Sequence, residues 1–192
     1  MHEVSSAEFW ANRYETGDAP WDYGQACPVF VTFLDSQRAP PTGTVAFPGC
    51  GKGHDLRLFL ERGYDATGFD FAIDSDDLPI ERLDIFELGA RYPDHFDMIV
   101  EYTCYCAIDP ARRGEYAASL RAALKPGGLL VALLFPMGER PDGPPFGIDE
   151  SEISGVLAVG MDVLSVEIPP NSFEERQDRE RLVLARKQEL SS

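Results

Sequence analysis

The sequence has no unbroken apolar run of 18 residues, no paired-cysteine spacing and almost no lysine. Each lack excludes something. A helix that crosses a bilayer needs about 20 mostly apolar residues, so none is expected and no membrane partner is assigned. The opening MHEVSSAEFW lacks the basic-then-apolar order of a secretory leader. Cys27, Cys50, Cys104 and Cys106 form no C-x-x-C pair and no disulfide-like framework. With only three histidines in the chain they also make a poor metal set, so no metal is expected, and a reducing cytoplasm is the natural setting. Of 17 basic residues only Lys52, Lys125 and Lys187 are lysine, against 33 acids, for a net charge of −16. Neutralising phosphates needs a basic surface, so nucleic acid is excluded as an expected partner. An acidic, lysine-poor surface suits high salt, where self-repulsion is screened. It also means that an anionic ligand must be met by local dipoles. The 192 residues are expected to form one domain, 1–192, able to bury about 70% of the unfolded surface.

What is present is organised around residues 44–70, TVAFPGCGKGHDLRLFLERGYDATGFD. Val45, Ala46 and Phe47 form a short apolar run typical of a buried parallel strand. Gly49, Gly51 and Gly53 follow on alternate positions, separated by Cys50 and Lys52; with no Cβ in the way, such a loop turns sharply and lets a ligand approach its backbone. Leu56, Leu58, Phe59 and Leu60 continue as a short helix stopped near Gly63. A second strand, 66–69, ends in Asp70, which lies 19 residues after Gly51. Strand, glycine turn, helix, strand and acid make up the nucleotide-binding half of a doubly wound α/β fold, in which the acid meets a ribose diol. A dinucleotide fingerprint needs a further glycine at position 54, which is His54 here. The G-x-G-x-G spacing reads as the adenosylmethionine version, whose loop passes the amino acid end of the ligand. The plain alternative for Asp70 is a solvated strand-end carboxylate.

Along the rest of the chain, Phe9, Trp10, Arg13 and Tyr14 have helical spacing, and Trp21 follows a break at residues 17–20. Residues 1–40 therefore read as N-terminal helices, with Trp10, Tyr14 and Trp21 either lidding a sulfonium ligand through their ring faces or packing as a stripe on the core. Residues 28–34 read as a second short helix. Only about ten residues separate Asp70 from the next strand at 80–83, and they include Pro79. A full crossover helix does not fit there, so an edge strand with at most one helical turn before it is expected. Asp84 and Ile85 are candidates for clamping an adenine. A fourth strand, 95–101, runs into Tyr102, Thr103, Cys104 and Tyr105. Strands one and four flank the point where strand order reverses, so Tyr102 and its neighbours are expected to border the ligand crevice. Cys104 and Cys106 read as small buried packing residues. A helix over 110–124, a central strand at 129–135, a helix over 148–157 and strands at 161–168 and 180–186 complete the pattern. The Pro- and Gly-rich loop 136–147 is stiff and long enough to be functional; Phe135, Pro144, Pro145 and Phe146 are its candidate pocket walls.

Taken together, FWxxRYxxGxxPWDxG, FPGCGKGHD, GFD, LDIFEL, EYTCYCAIDPxxR, LKPGGLLVALLFP, GPPF and RERLVLARK resemble the thiopurine S-methyltransferase family, and its halide and thiol methyltransferase branch most. The resemblance covers nearly the whole chain. It implies a Rossmann-like class I methyltransferase fold with a mostly parallel seven-stranded sheet, helices on both faces and an N-terminal helical lid. It implies S-adenosyl-L-methionine as cofactor, held by Trp10, Tyr14, Trp21, Gly49, Cys50, Gly51, Asp70, Asp84, Ile85 and Tyr102. Tyr14 stands where this branch often has Trp, Ile85 where it often has Phe, and the 71–79 segment is shortened. The position two residues before the first glycine, acidic in most methyltransferases of this class, is Phe47, as this family has it.

The reaction implied is in-line displacement on the methyl of a sulfonium by a small nucleophile: a thiol, sulfide, halide or thiopurine. Such acceptors arrive anionic, so no catalytic base is named; Tyr105, Thr103 and Phe146 are the candidate acceptor contacts. A monomer acting on a small-molecule acceptor is expected. The alternatives are a module that binds adenosylmethionine without turnover and, more remotely, a nicotinamide oxidoreductase, which His54 disfavours.

Overall fold

The computed structural model describes residues 3–140 and 142–189; residues 1, 2, 141 and 190–192 lie outside it. Seven strands form one sheet in the order β3-β2-β1-β4-β5-β7-β6. They are β1 (Thr44–Pro48), β2 (Asp65–Asp70), β3 (Ile80–Arg82), β4 (Phe96–Tyr102), β5 (Leu124–Leu134), β6 (Met161–Glu167) and β7 (Arg181–Lys187). β1 pairs in parallel with β2 and β4, β2 with β3, and β4 with β5; β7 runs antiparallel between β5 and β6. The doubly wound, mostly parallel seven-stranded fold is therefore observed, with β1 and β4 side by side at the reversal of strand order.

The central strands are buried on both faces, and alternation along each one divides the core in two. Val45, Phe47, Met98, Val100 and Val131 face α2 (Pro28–Leu34) and α3 (His54–Glu61), packing with Phe30, Phe33, Leu56 and Phe59. Ala46, Ile99, Leu130 and Ala132 face α4 (Leu88–Arg91) and α5 (Arg113–Ala123), packing with Leu88, Tyr116 and Leu120. Each fully buried Leu or Phe of this kind contributes about 1.5–3 kcal/mol. No helix fills 71–79, as the length of that segment requires, and β3 is a three-residue edge strand. The N-terminal helix α1 (Ala7–Glu15) starts at Ser6, whose hydroxyl accepts the Phe9 N–H at 3.4 Å, and none of its residues is buried.

Two expectations change. The strand after α5 begins at Leu124, earlier than 129: Leu124 already pairs with Phe96, and an irregular register between Phe96 and Met98 absorbs the turn residues 125–128. The helix expected over 148–157 shrinks to a five-residue π turn, Ile153–Leu157. Ile148 is held extended instead, donating its N–H to Pro136 O and accepting from Gly138 N–H, and Gly155 weakens what helix remains.

α4 and α5 approach closely at Gly89, where a Cβ would lie 2.6 Å from Ser119 O and 2.7 Å from Ala122 Cβ. Gly89→Ala is expected to lower stability by about 1–3 kcal/mol, read as an earlier midpoint in urea with an unchanged slope.

Candidate active site

A cavity of about 440 Å³ opens over the carboxyl ends of β1, β2 and β4, within the range of about 300–1,000 Å³ usual for ligand pockets. Its floor is the glycine loop. Gly49 and Cys50 donate their N–H groups to Phe69 O at 2.7 and 3.3 Å, so the loop is tied to the end of β2. Gly49, Gly51 and Gly53 have φ of 62°, 52° and 74°, in the left-handed region that L side chains rarely occupy. A Cβ on Gly49 would lie 2.6 Å from Cys104 Sγ, and one on Gly51 2.6 Å from Tyr14 Oη. The glycines are required by both backbone conformation and contact.

Asp70 closes the β2 side. Its Oδ2 accepts the Gly51 N–H at 3.0 Å, and its Oδ1 accepts from Ala72 and Ile73 at 2.8 and 3.2 Å. Burial pushes its carboxyl up, and these backbone donors oppose the shift. With the Phe71 N–H, four backbone donors converge on this carboxylate at the edge of the cavity.

The N-terminal segment forms the opposite wall. Trp10 and Trp21 meet edge-on at 5.5 Å, and Tyr14 meets Trp21 at 5.7 Å. Trp21 Nε1–H donates to Tyr14 Oη at 3.0 Å. Burial drives the Tyr14 phenol upward, so it stays neutral. All three aromatics line the cavity, and all are half-buried. Their exposed faces turn to the cavity, as a cover over a ligand requires. Asp22 pins this cover to the loop: it meets Lys52 Nζ at 2.7 Å and His54 Nε2 at 2.9 Å and accepts the Gly24 N–H at 2.9 Å. Burial resists ionisation of Asp22, but the Lys52, Gly24 and His54 contacts outweigh it and hold its carboxyl below the usual range.

Asp84, Ile85 and Phe86 line the third side, with the Arg112 guanidinium 3.6 Å above the Phe86 ring. Tyr102, Thr103, Cys104 and Cys106 line the fourth. Thr103, at φ 60°, is a strained β-branched residue at the rim. Burial pushes the Cys106 thiol to about 12 and the Cys50 and Cys104 thiols well up; thiols held protonated are not nucleophiles. Thus Trp10, Tyr14, Trp21, Gly49, Cys50, Gly51, Asp70, Asp84, Ile85, Tyr102 and Thr103 come together around one cavity.

Tyr105 and Phe146 do not join them, which corrects the expectation that they contact the acceptor. Tyr105 is 1% exposed; its ring packs under Arg113 and its hydroxyl donates to Glu152 at 3.2 Å. Phe146 is 7% exposed and bonds through its backbone, with its N–H on Cys106 O and its carbonyl accepting from Arg113. Phe135, Pro144 and Pro145 do line the cavity.

Residues not anticipated from sequence are Asp22, Asp55, Tyr23, Phe173, Arg140, Arg176 and Arg179. Arg176 is 4% exposed. It is packed against the rings of Phe135, Tyr102 and Tyr23 at 4.5, 5.0 and 5.1 Å and ion-paired to Glu180 at 3.6 Å. Arg179 lies 5.0 Å over Phe135. Asp55, at the start of α3, accepts the Cys27 N–H at 2.7 Å, and burial pushes its carboxyl to about 6. No periodicity marks the arginines, which sit in the polar run FEERQDRER.

The strand order, the glycine loop and the acid at the end of β2 are those of an S-adenosyl-L-methionine-dependent methyltransferase, and the bare loop backbone and the Asp70 carboxylate lining the cavity suit that cofactor. The chain belongs to the thiopurine S-methyltransferase family, whose sequence pattern matches residues 5–75 and 71–190. It is 32% identical over 188 residues to thiocyanate methyltransferase 1 of Brassica oleracea, covering 90% of this chain and 82% of that one. It is 29% identical to thiocyanate methyltransferase 1 of Arabidopsis thaliana, covering 95% and 86%. Its fold is similar to that of the 1,6-didemethyltoxoflavin-N1-methyltransferase of Burkholderia thailandensis, solved with bound S-adenosylhomocysteine, at TM-score 0.76 and 20% identity over 95% of this chain and 87% of that one. The protein is an enzyme that transfers a methyl group to a small molecule.

Gly51→Ala places a Cβ against Tyr14 Oη on a backbone at φ 52°. It is expected to weaken S-adenosylhomocysteine binding at least about tenfold in calorimetry, because loop and cover must separate.

Proposed function

We propose that the acceptor is a small, soft anion: a thiolate, bisulfide, thiocyanate or halide. The observation that carries this reading is that Arg140, Arg176 and Arg179 line the cavity, the last two both against Phe135, in a chain of net charge −16. Long-range charge repels anions from this protein. A local guanidinium cluster, partly removed from water by Phe135, Tyr102 and Tyr23, restores attraction where it is needed.

Adenosylmethionine supplies a transferable methyl on a positively charged sulfur. Gly49, Cys50 and Gly51 present bare backbone to the amino acid end of that ligand, Asp70 accepts from its ribose, and Asp84 and Ile85 flank its adenine. Trp10, Tyr14 and Trp21 cover it with ring faces that favour a cation and keep water out. Tyr102 and Thr103 border the position of the reacting carbon. Arg176 and Arg179 hold the incoming anion in line, and Tyr23 and Phe173, stacked at 3.9 Å, wall it off. An acceptor already ionised needs no general base, and the chain's own work is alignment and exclusion of water. Opposite charges approach as the bond forms, so a dry apolar wall favours the transition state over the separated ions. A monomer of a single domain, with residues 1–40 as its cover, working in a reducing cytoplasm apart from nucleic acid, completes the reading. Four free thiols and an acidic surface support it.

Incubation with adenosylmethionine and iodide, thiocyanate or bisulfide is expected to yield the methylated product in headspace mass spectrometry. Arg179→Gln is expected to raise the KM for the anion about tenfold with kcat nearly unchanged. Turnover only with uncharged acceptors, or a KM indifferent to Arg179, would exclude the anion reading.

A further inference from the structure

The mechanism above makes no use of Glu101, the acid near the carboxyl end of β4. It is 0% exposed and paired across the sheet with Ala132. Its Oε1 accepts the Tyr105 N–H at 2.5 Å, while Oε2 is buried with no hydrogen-bond partner among the described residues. Such half-satisfied burial of a carboxylate is costly. The groups that face it are Cys104, Tyr105 and Cys106 from the following loop and Arg113 and Tyr116 from α5. Glu152 stands behind Arg113 at 2.8 Å. The one charge of β5, Lys125, pairs with Asp97 at the opposite end of the strand.

The loop that Glu101 grips is a wall of the active site. Thr103, Cys104, Cys106 and Ile108 all line the cavity, and Cys104 packs against Gly49 of the glycine loop. Tyr105 is the one residue of 102–106 that turns away from the cavity, and its N–H is the anchor. We propose that Glu101 is a positioning residue: as a carboxylate it holds the loop 102–108 through the Tyr105 N–H, and on losing its charge it lets the acceptor side of the cavity relax. The placement of the acceptor on this side rests on the reading given under Proposed function. A charge-assisted bond is roughly twice as strong as a neutral one, so the grip weakens on protonation. Burial pushes the Glu101 carboxyl to about 7, with the Tyr105 and Cys104 N–H groups and Arg113 offsetting only part of the rise. The grip is therefore titratable near neutrality.

The sign for stability is opposite to that for activity. A folded-state value raised from 4.5 to about 7 means that the folded protein binds this proton more tightly than the unfolded chain. Glu101's contribution to stability is then greatest below 4.5 and declines as pH rises through about 7. Thiocyanate is a suitable acceptor for the test because it does not titrate between about pH 5.5 and 8.5. The wild-type kcat/KM is expected to rise about five- to tenfold through neutrality. Glu101→Gln should stay near the low-pH level throughout while melting at a higher temperature than wild type above neutrality. A part that merely holds the fold would move activity and melting together. In parallel, the Tyr105 amide of wild-type protein saturated with S-adenosylhomocysteine, followed by two-dimensional NMR, should shift with a midpoint near neutrality. A flat wild-type profile, a rise that survives in Glu101→Gln, or a Tyr105 amide that does not titrate overturns the proposal. A titrating Tyr105 amide with no methyl transfer to any anion refutes the acceptor class and supports the grip on the loop.

Discussion

The bond from Gly51 N–H to Asp70 Oδ2, at 3.0 Å, is the constraint on which the site depends. It ties the loop after β1 to the end of β2 and fixes a carboxylate at the wall of the cavity. It forms only because the loop backbone follows a left-handed path at Gly49, Gly51 and Gly53. Around it the contacts leave no slack. Cys104 occupies the space beside Gly49, Tyr14 the space beside Gly51, and Cys50 the space beside Gly68 on β2. Three elements remote in sequence thus converge on one stretch of backbone: the N-terminal cover, the end of β4 and β2. A Cβ at any of these glycines would push one of them away.

Electrostatics follow the same economy. The chain is strongly acidic, and the cavity sets Lys52, Arg112, Arg140, Arg176 and Arg179 among the carboxylates of Asp22, Asp55, Asp70, Asp84, Asp109 and Glu175. Two of these serve the architecture of the site: Lys52 pairs with Asp22 to hold the cover, and Arg112 lies on Phe86 beside Asp84 and Ile85. Of the other arginines, Arg176 and Arg179 lie against Phe135. Exposed ion pairs between long side chains are weak and screened by salt. Arg176, buried among three rings and paired with Glu180, is shielded far more. The Arg176–Glu180 pair is therefore less sensitive to ionic strength than the ion pairs of the surface.

The β1–loop–α3–β2 unit was legible because each part has a local physical signature: an apolar run, glycines, a helical stripe and a strand-end acid. Asp84, Ile85 and Tyr102 followed from strand order once β1 and β4 were expected side by side. Tyr105 and Phe146 were misread because adjacency in sequence does not say which way a side chain points. Tyr105 turns inward to Arg113 and Glu152, and the backbone of Phe146 is captured by Cys106 and Arg113. The helix expected over 148–157 starts late because Ile148 found backbone partners in Pro136 and Gly138, a long-range choice that no helical period reveals.

Local chemistry in the chain determined the element types, the sheet class, the cofactor loop and the aromatic cover, because glycine freedom, apolar periodicity and the length of 71–79 act over a few residues. Tertiary structure alone decided that Asp22 joins the N-terminal segment to Lys52 and His54, that Arg140, Arg176 and Arg179 line the same cavity, and that Glu101 is buried beneath the loop that follows it. Those outcomes depend on distances between segments far apart in the chain, which a linear pattern of residue types does not encode.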